Sequence, residues 1–236
     1  MYTGDEEYTR EAYNSGETWP ADDPWHTLTH EYVTAQVQNF LAVSTAPESQ
    51  ILNAGAADTR YACLGTVYDC DIAEKKLSTS QHPIHASITE LPCQSRSFDF
   101  VICVGSVLNY CDAVKAISEL SRVLRSGGRI ILEFERSHSA EFLFTKHYGQ
   151  DVFRKHYPYG KNTHSLWLYS EAYIDKILNS YSLRIDNKLR FHTVSSLVAR
   201  FTQNEAKAAR LMRHDHWLRK LSAFLAHNVI YVVHKE

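Results

Sequence analysis

One stretch, residues 51–71, constrains the fold more than any other part of the chain. The apolar pair at residues 51–52 predicts a buried strand, Gly55 predicts a sharp turn, and residues 66–68 predict a second strand that leads to Asp71. In an α/β sheet a ligand lies beyond the carboxyl ends of the strands, and an acid at this place bonds the hydroxyls of a ribose. The sequence therefore predicts a site for a cofactor that contains a nucleoside.

The glycine pattern of this turn indicates which cofactor it can hold. A pyrophosphate needs close approach of the backbone at several points, which is why dinucleotide folds carry G-x-G-x-x-G. Here these positions are Gly55, Ala57 and Arg60, and an arginine where the third glycine packs helix on strand argues against NAD or FAD. S-adenosylmethionine carries no phosphate, so a single glycine can suffice. The pattern favours S-adenosylmethionine.

Four segments, in order and at family spacing, resemble the class I S-adenosylmethionine-dependent methyltransferases. The first three are residues 53–59 at the first motif, Asp71 and Ile72 at the second, and Ser87 with Leu91 and Pro92 at the third. The fourth comprises residues 97–112 and 118–132, which look like the fourth strand and the helix, glycine turn and fifth strand that follow it. The first motif keeps one of three glycines, Asn53 replaces its acid, and Ser87 stands where the family has an adenine-facing Asp. The region 97–112 looks most like the branch that methylates quinones and natural products.

The resemblance, which covers about residues 30–135, implies an α/β fold. We expect a Rossmann-like, mostly parallel sheet of seven strands with helices on both faces, an antiparallel last strand, and helical or aromatic cap insertions. It also implies contacts with the cofactor: Gly55 for close backbone approach, Asp71 for the ribose, and Ser87 beside the adenine. The full expected set is Asn53, Ala54, Gly55, Asp71, Ile72, Ser87, Ile88, Val104, Gly105 and Ser106.

Methyl transfer needs orientation, exclusion of water and, for a hydroxyl acceptor, removal of a proton. A base is therefore poorly specified by sequence. The weak candidates are Tyr110, His138 and His147, with Asn109 beside them. We expect no metal, because His26 and His30 have helical spacing but no third ligand in register.

The coarse pattern predicts the remaining elements and their division into domains. Residues 1–26 read as an arm or lid, in which Tyr13 or Trp19 can line the site, and residues 27–236 as the catalytic domain, with caps at residues 137–168 and 194–226 that set substrate choice. Helices are expected at 27–41, 59–64, 73–78 and 171–178, and a further helix is expected to begin at Asp112 and to end at Gly127 and Gly128. In this further helix, Val114, Ile117, Leu120 and Leu124 are expected to face the core. Strands are expected at 84–86, 98–104, 129–134, 183–191 and 228–233.

Composition places the chain among ordinary globular proteins. Of its 236 residues, 44% are hydrophobic and 22% charged, as in a single folded domain. No apolar run approaches the roughly 20 residues of a membrane span, and the acidic start lacks the regions of a signal peptide. Five cysteines without C-x-x-C or zinc spacing predict reduced thiols. We expect a cytoplasmic location.

Three functions stay open at this point. The first is methyl transfer to a small or medium organic molecule. The second is methylation of RNA or tRNA, suggested because residues 184–220 carry nine Lys or Arg against three acids. The third is a catalytically inactive partner subunit with a methyltransferase fold, suggested by the changes at Asn53, Ala57 and Ser87.

Overall fold

The computed structural model describes residues 4–16, 24–159, 162–193, 195–196, 198 and 223–236. The helices in these ranges are α1 (Gly4–Ser15), α2 (Pro24–Ser44), α3 (Ala113–Val123) and α4 (Glu171–Ser180). The strands are β1 (Gln50–Ala54), β2 (Thr66–Asp71), β3 (Pro83–His85), β4 (Phe98–Cys103), β5 (Leu124–Glu135), β6 (Val152–Tyr159), β7 (Asn162–Tyr169), β8 (Leu183–Phe191) and β9 (Asn228–Lys235).

Seven of these strands form one twisted sheet in the order β3-β2-β1-β4-β5-β9-β8. Strands β1 to β5 run parallel, and β9 runs antiparallel to both of its neighbours, β5 and β8. The predicted Rossmann-like sheet with an antiparallel last strand is thereby confirmed. The strand order reverses at the β1–β4 boundary, and such a reversal is where sheets of this kind bind ligands.

Helices cover both faces of the sheet. Val33, Val37 and Leu41 of α2 recur at helical spacing and pack with apolar side chains of β1, β4 and β5 on one face. On the other face, Ile117 and Leu120 of α3 are buried. The sheet is thus sealed on both sides, and the ligand edge is left at the carboxyl ends of its strands.

The α3 helix differs from the prediction in two details. Asp112 caps it as expected, since its carboxylate accepts hydrogen bonds from the backbone N–H groups of Val114 and Lys115. Val114, however, is 39% exposed, because it lies in the capped first turn, outside the buried stripe. The helix also ends at Val123, so Gly127 and Gly128 lie within β5 rather than at the helix end.

The predicted two-turn helix at residues 59–64 is wrong. The segment between β1 and β2 is irregular, because side chains satisfy the backbone carbonyls that a helix would have paired. The Arg60 guanidinium donates to the carbonyls of Ala57, Thr59 and Lys76. The predicted helix at 73–78 is only a 3-10 turn, Glu74–Leu77.

The segment at residues 137–168, predicted as a cap, contains a feature that the sequence did not indicate. Strands β6 and β7 form a separate two-stranded antiparallel sheet. Phe153, Leu166 and Leu168 of this hairpin pack on Phe142. Most of the second predicted cap, residues 194–226, lies outside the described residues, as does Trp19.

Two expectations from composition can be compared with the described ranges. Within them, no helix is both long enough and apolar enough to cross a bilayer. All five cysteines lie in these ranges and form no disulfide, and Cys70, Cys103 and Cys111 are buried.

A cluster of charges around Glu171, the first residue of α4, joins this helix to the sheet. The Glu171 carboxylate pairs with Arg136 Nε at 2.8 Å and Arg190 Nε at 2.7 Å, and it accepts a hydrogen bond from the Tyr231 hydroxyl. Burial alone would raise the pKa of Glu171, but the hydrogen bond from Arg190 and the neighbouring cations lower it to about 2. The carboxylate therefore stays ionised in the fold.

We expect Glu171→Gln to lower the free energy of unfolding at neutral pH by about 3 kcal/mol, since it leaves buried cations without their counter-ion. Glu236→Gln is the matched control. Its pair with Arg184 is about half exposed and should contribute less than about 1 kcal/mol. Urea denaturation measures both. Because the lowered pKa stabilises the fold only while Glu171 is ionised, the effect should shrink as pH falls below 4.5 towards 2. Equal effects of the two variants would contradict this account.

Candidate functional site

A cavity of about 1010 Å³, open solvent at its mouth included, lies over the carboxyl ends of β1, β2 and β4. This is the edge at which the strand order reverses, where sheets of this kind bind ligands. Residues after these strands line the sheet side of the cavity, and side chains of α1 and α2 line the opposite side. The topology alone thus brings the predicted motifs to one place.

Eight of the ten predicted cofactor contacts line this cavity: Asn53, Gly55, Asp71, Ile72, Ser87, Ile88, Val104 and Gly105. The other two do not. Ala54 is buried in the core of the sheet. Ser106 turns to the acids of β5: its N–H donates to Glu133 at 2.6 Å, and its hydroxyl donates to Glu135 at 2.9 Å. Ser106 therefore anchors the turn after β4.

Gly55 needs to be glycine for two reasons. Its φ is +76°, a conformation that L side chains rarely adopt, and a Cβ at this position would overlap the side chain of Val107. The N–H groups of Gly55 and Ala56 both donate to the carbonyl of Cys70. The amides of this turn are thus directed at the protein itself, which agrees with a ligand that has no phosphate here.

Asp71 ends β2 with its carboxylate at the cavity wall. Its Oδ2 accepts from the N–H of Ala57 at 2.8 Å, and its Oδ1 accepts from the N–H of Ala73 at 2.7 Å. Burial raises the pKa of Asp71, against the effect of these two bonds. Each carboxylate oxygen can accept a further hydrogen bond, so Asp71 can hold a pair of hydroxyls while it fixes the turn.

Asn53 has a partner that explains why it is an amide. Its Nδ2 donates to Asp69 Oδ1 at 2.8 Å and to the carbonyl of Thr59 at 3.1 Å. Asp69 is the paired neighbour of Asn53 across β1 and β2, and it is also 3.4 Å from Arg60 Nε. An acid at position 53 would place a second carboxylate next to that of Asp69, and the two would repel each other. The amide of Asn53 avoids this repulsion, because it can donate a hydrogen bond to Asp69.

Ser87 meets an acid that the sequence did not indicate. Its hydroxyl donates to Glu6 Oε1 at 2.6 Å, and the hydroxyl of Thr89 donates to the same oxygen at 3.2 Å. Glu6 lies on α1, is 7% exposed, and lines the cavity. The acid-rich beginning of the chain was the available signal, but no spacing connects residue 6 with residue 87.

Only one of the proposed catalytic side chains lines the cavity. Tyr110 does so and contacts Tyr13 of α1, with 3.3 Å between the two hydroxyl oxygens. His138 packs on Tyr148, and His147 stacks on Phe153, both away from the cavity lining. Asn109 is fully buried; it donates to the carbonyls of Glu135 and Trp167 and accepts from the N–H of Glu135, so its role is structural.

The α2 helix contributes the titratable side chain that the sequence reasoning did not select as a base. His30 is half-buried and lines the cavity next to Thr29 and Tyr61. Burial lowers the pKa of His30 below 6.5, although nearby acids oppose the shift, so the imidazole is neutral at neutral pH and can accept a proton. Burial raises the pKa of Tyr61, and this phenol stays protonated. The described ranges hold no cluster of three metal-binding side chains.

Comparison with known proteins agrees with this arrangement. Residues 52–132 match the family model of a methyltransferase domain. No curated protein matches the chain. Among solved structures, geranyl diphosphate C-methyltransferase from Streptomyces coelicolor A3(2), crystallised with Mg²⁺, geranyl diphosphate and S-adenosyl-L-homocysteine, gives a TM-score of 0.63 at 10% identity, over 99% of this chain and 98% of that one.

Two further structures show the range of chemistry on this fold. The 1,6-didemethyltoxoflavin-N1-methyltransferase of Burkholderia thailandensis gives a TM-score of 0.57 at 13% identity, over 100% of this chain and 92% of that one. The [4+2]-cyclase SpnF gives 0.56 at 15% identity, over 86% of this chain and 80% of that one. At these identities the likeness shows the fold, and the chemistry must be argued from the site.

We expect Gly55→Ala to destabilise the protein by about 3 kcal/mol, the sum of a strained left-handed alanine and an overlap with Val107. Gly127→Ala is the matched control, because its φ is +78° but no atom lies within 4 Å of an added Cβ. That control should cost about 1 kcal/mol from backbone strain alone. Urea denaturation of both variants, and of Gly55→Ala combined with Val107→Ala, measures the overlap. Equal losses for the two glycines would contradict it.

Proposed function

We propose that this chain, which carries a class I S-adenosylmethionine-dependent methyltransferase domain, binds S-adenosylmethionine at the carboxyl edge of its sheet and methylates a small organic acceptor. The observation that carries the proposal is the carboxylate of Asp71, held at the end of β2 against the cavity that Gly55 also lines. A carboxylate in this place accepts hydrogen bonds from ribose hydroxyls.

The other lining residues have roles that follow from their positions. Ile72 and Ile88 offer apolar surfaces on the β3 side, which suits an adenine ring. Gly55, Val104 and Gly105 lie at the reversal of the strand order, where the absence of large side chains leaves room for the sulfonium. In this proposal α1 covers the cofactor as a lid, since Glu6 and Tyr13 line the cavity from above the strand ends.

The lining also bears on the acceptor. Among the described residues that line the cavity there is no Lys or Arg, whereas Tyr13, Tyr61 and Tyr110 supply aromatic surface. A phosphorylated or strongly anionic acceptor would have no counter-charge from these residues. We therefore favour an uncharged aromatic or polycyclic acceptor, as in the branch that methylates quinones and natural products.

The alternative acceptor, RNA, gains no support from the described part of the basic stretch that suggested it. Arg184 pairs with Glu236, Arg190 pairs with Glu171, and Lys188 pairs with Glu171 and Asp175. Three of the nine basic side chains of this stretch lie in the described residues, and each of the three pairs with an acid.

Bound S-adenosylmethionine supplies an electrophilic methyl group on a sulfonium. The protein's side chains orient the acceptor and receive the proton that an acceptor hydroxyl loses. His30 is the group we assign to this proton, because its neutral imidazole lines the cavity. Tyr110 and Tyr13, joined through their hydroxyls, close the cavity against water on the side of α1.

Cofactor binding can be tested without knowing the acceptor. We expect wild-type protein to bind S-adenosylhomocysteine in calorimetry and Asp71→Asn to weaken binding about 10- to 100-fold, since hydrogen bonds to a charged group are lost. Asp58→Asn is the control, an acid of the same loop that does not line the cavity and is about half exposed. No binding by wild-type protein would leave the inactive partner subunit as the better explanation.

The role of His30 predicts a pH dependence. With S-adenosylmethionine and a panel of phenols, His30→Gln should lower kcat about 10²- to 10⁴-fold and leave the affinity for S-adenosylhomocysteine unchanged. Because burial lowers the pKa of His30, wild-type kcat should fall only as pH drops below 6.5. The His30→Gln variant should lose this fall in kcat at acidic pH. The control His82→Gln, which changes an exposed histidine that does not line the cavity, should keep it. A wild-type profile in the variant would remove His30 from the mechanism.

A further inference from the structure

The polar and apolar lining residues divide the cavity into two ends. On the β3 side lie Ile72, Ala86 and Ile88, and on the α2 side lie Thr29 and His30. With the ribose held at Asp71, between these ends, the flat apolar base of a nucleoside fits the β3 side. Two carboxylates of described residues line the cavity, and Glu6 is the one at the base end.

We propose that Glu6 accepts a hydrogen bond from the 6-amino group of adenine and so determines which purine the site binds. This inference rests on the proposed function. In the related family this acceptor would be an Asp at the position of Ser87; here α1 supplies the carboxylate from a distant part of the chain. Ser87 and Thr89 become its supports.

The contacts of Glu6 hold its carboxylate at the edge of the base pocket. The hydroxyls of Ser87 and Thr89 both donate to Oε1, and the Thr89 N–H donates to Ser87 Oγ at 3.2 Å. A carboxylate can only accept hydrogen bonds. It therefore favours an amino group on the purine and disfavours the carbonyl oxygen of a 6-oxo purine, which cannot donate.

An acid on α1 also connects purine recognition to the docking of this helix. Beyond Glu6, polar contacts fix α1 on the loop after β2: the Lys75 N–H donates to Asn14 Oδ1 at 3.1 Å, and Lys76 Nζ donates to the carbonyl of Gly16 at 2.8 Å. An acid at position 87, in the segment that follows β3, would be in place before α1 docks. Here the acceptor reaches the base only when α1 lies over the cavity.

Variants that move the acid from position 6 to position 87 test the role of Glu6 most directly. Ser87→Asp in the wild-type background would bring two carboxylates together where Ser87 and Glu6 now share a hydrogen bond, and it should weaken binding of S-adenosylhomocysteine. Ser87→Asp combined with Glu6→Ala moves the acid from α1 to position 87, in the segment that follows β3. That double variant should recover most of the affinity that Glu6→Ala alone loses.

The experiment compares two ligands, S-adenosylhomocysteine and its 6-oxo analogue S-inosylhomocysteine, by calorimetry. Wild-type protein should prefer the 6-amino ligand by about 10- to 100-fold or more. Glu6→Gln should weaken S-adenosylhomocysteine about 10-fold or more and strengthen the 6-oxo ligand, because an amide can donate to the oxygen. Glu7→Gln, on the exposed side of α1, should change neither ligand.

Each result decides between the possibilities. If Glu6→Gln keeps both the affinity and the preference of wild-type protein, Glu6 does not contact the base. If Glu6 variants lose both ligands equally and the double variant does not recover, Glu6 only docks α1, and the inference is wrong while cofactor binding stands. If wild-type protein binds neither ligand, the proposed function itself fails, and this inference falls with it.

Discussion

The site depends on one buried carboxylate that joins two adjacent crossovers. Asp71 accepts hydrogen bonds from the N–H groups of Ala57 and Ala73, so the turn after β1 and the chain after β2 are fixed to each other at the strand ends. Ala57 has a φ of 42°, a conformation that such a tether can hold. The same carboxylate lines the cavity, so one group both fixes the turn and offers the hydrogen-bond acceptors of the proposed ribose site.

The residues that differ from the family's first motif stabilise the irregular segment that replaces a helix between β1 and β2. Because the segment between β1 and β2 is short, Asn53 and the Arg60 guanidinium satisfy the carbonyls of Thr59 and its neighbours directly. Asp69 then requires donors on both sides, the Asn53 amide and Arg60. The amide at position 53 and the arginine at position 60, which look like losses in the sequence, are parts of one hydrogen-bonded network.

The elements that could be predicted from sequence are those with local causes. The predicted strand at 183–191 coincides with β8, and the fourth strand differs from prediction by one residue, because continuous or alternating apolar runs between turn residues specify them. The β6–β7 hairpin was missed because charged residues and a histidine interrupt β6, and only residues 166–169 of β7 form a continuous apolar run. Glu6 was missed for a different reason: its contact with Ser87 spans 81 positions, and no periodicity reports such a pairing.

The sheet carries the residues proposed to bind the nucleoside, and the helices carry those proposed to select the base and to receive the proton. The fold can therefore be identified from the sequence more easily than the acceptor. The strand ends hold Gly55 and Asp71, which are the proposed contacts of the nucleoside whatever reaction follows. The side chains that would select a base or receive a proton, Glu6 and His30, lie on α1 and α2, before the residues that match the family model. A [4+2]-cyclase shares the fold, so the strands alone do not specify the chemistry.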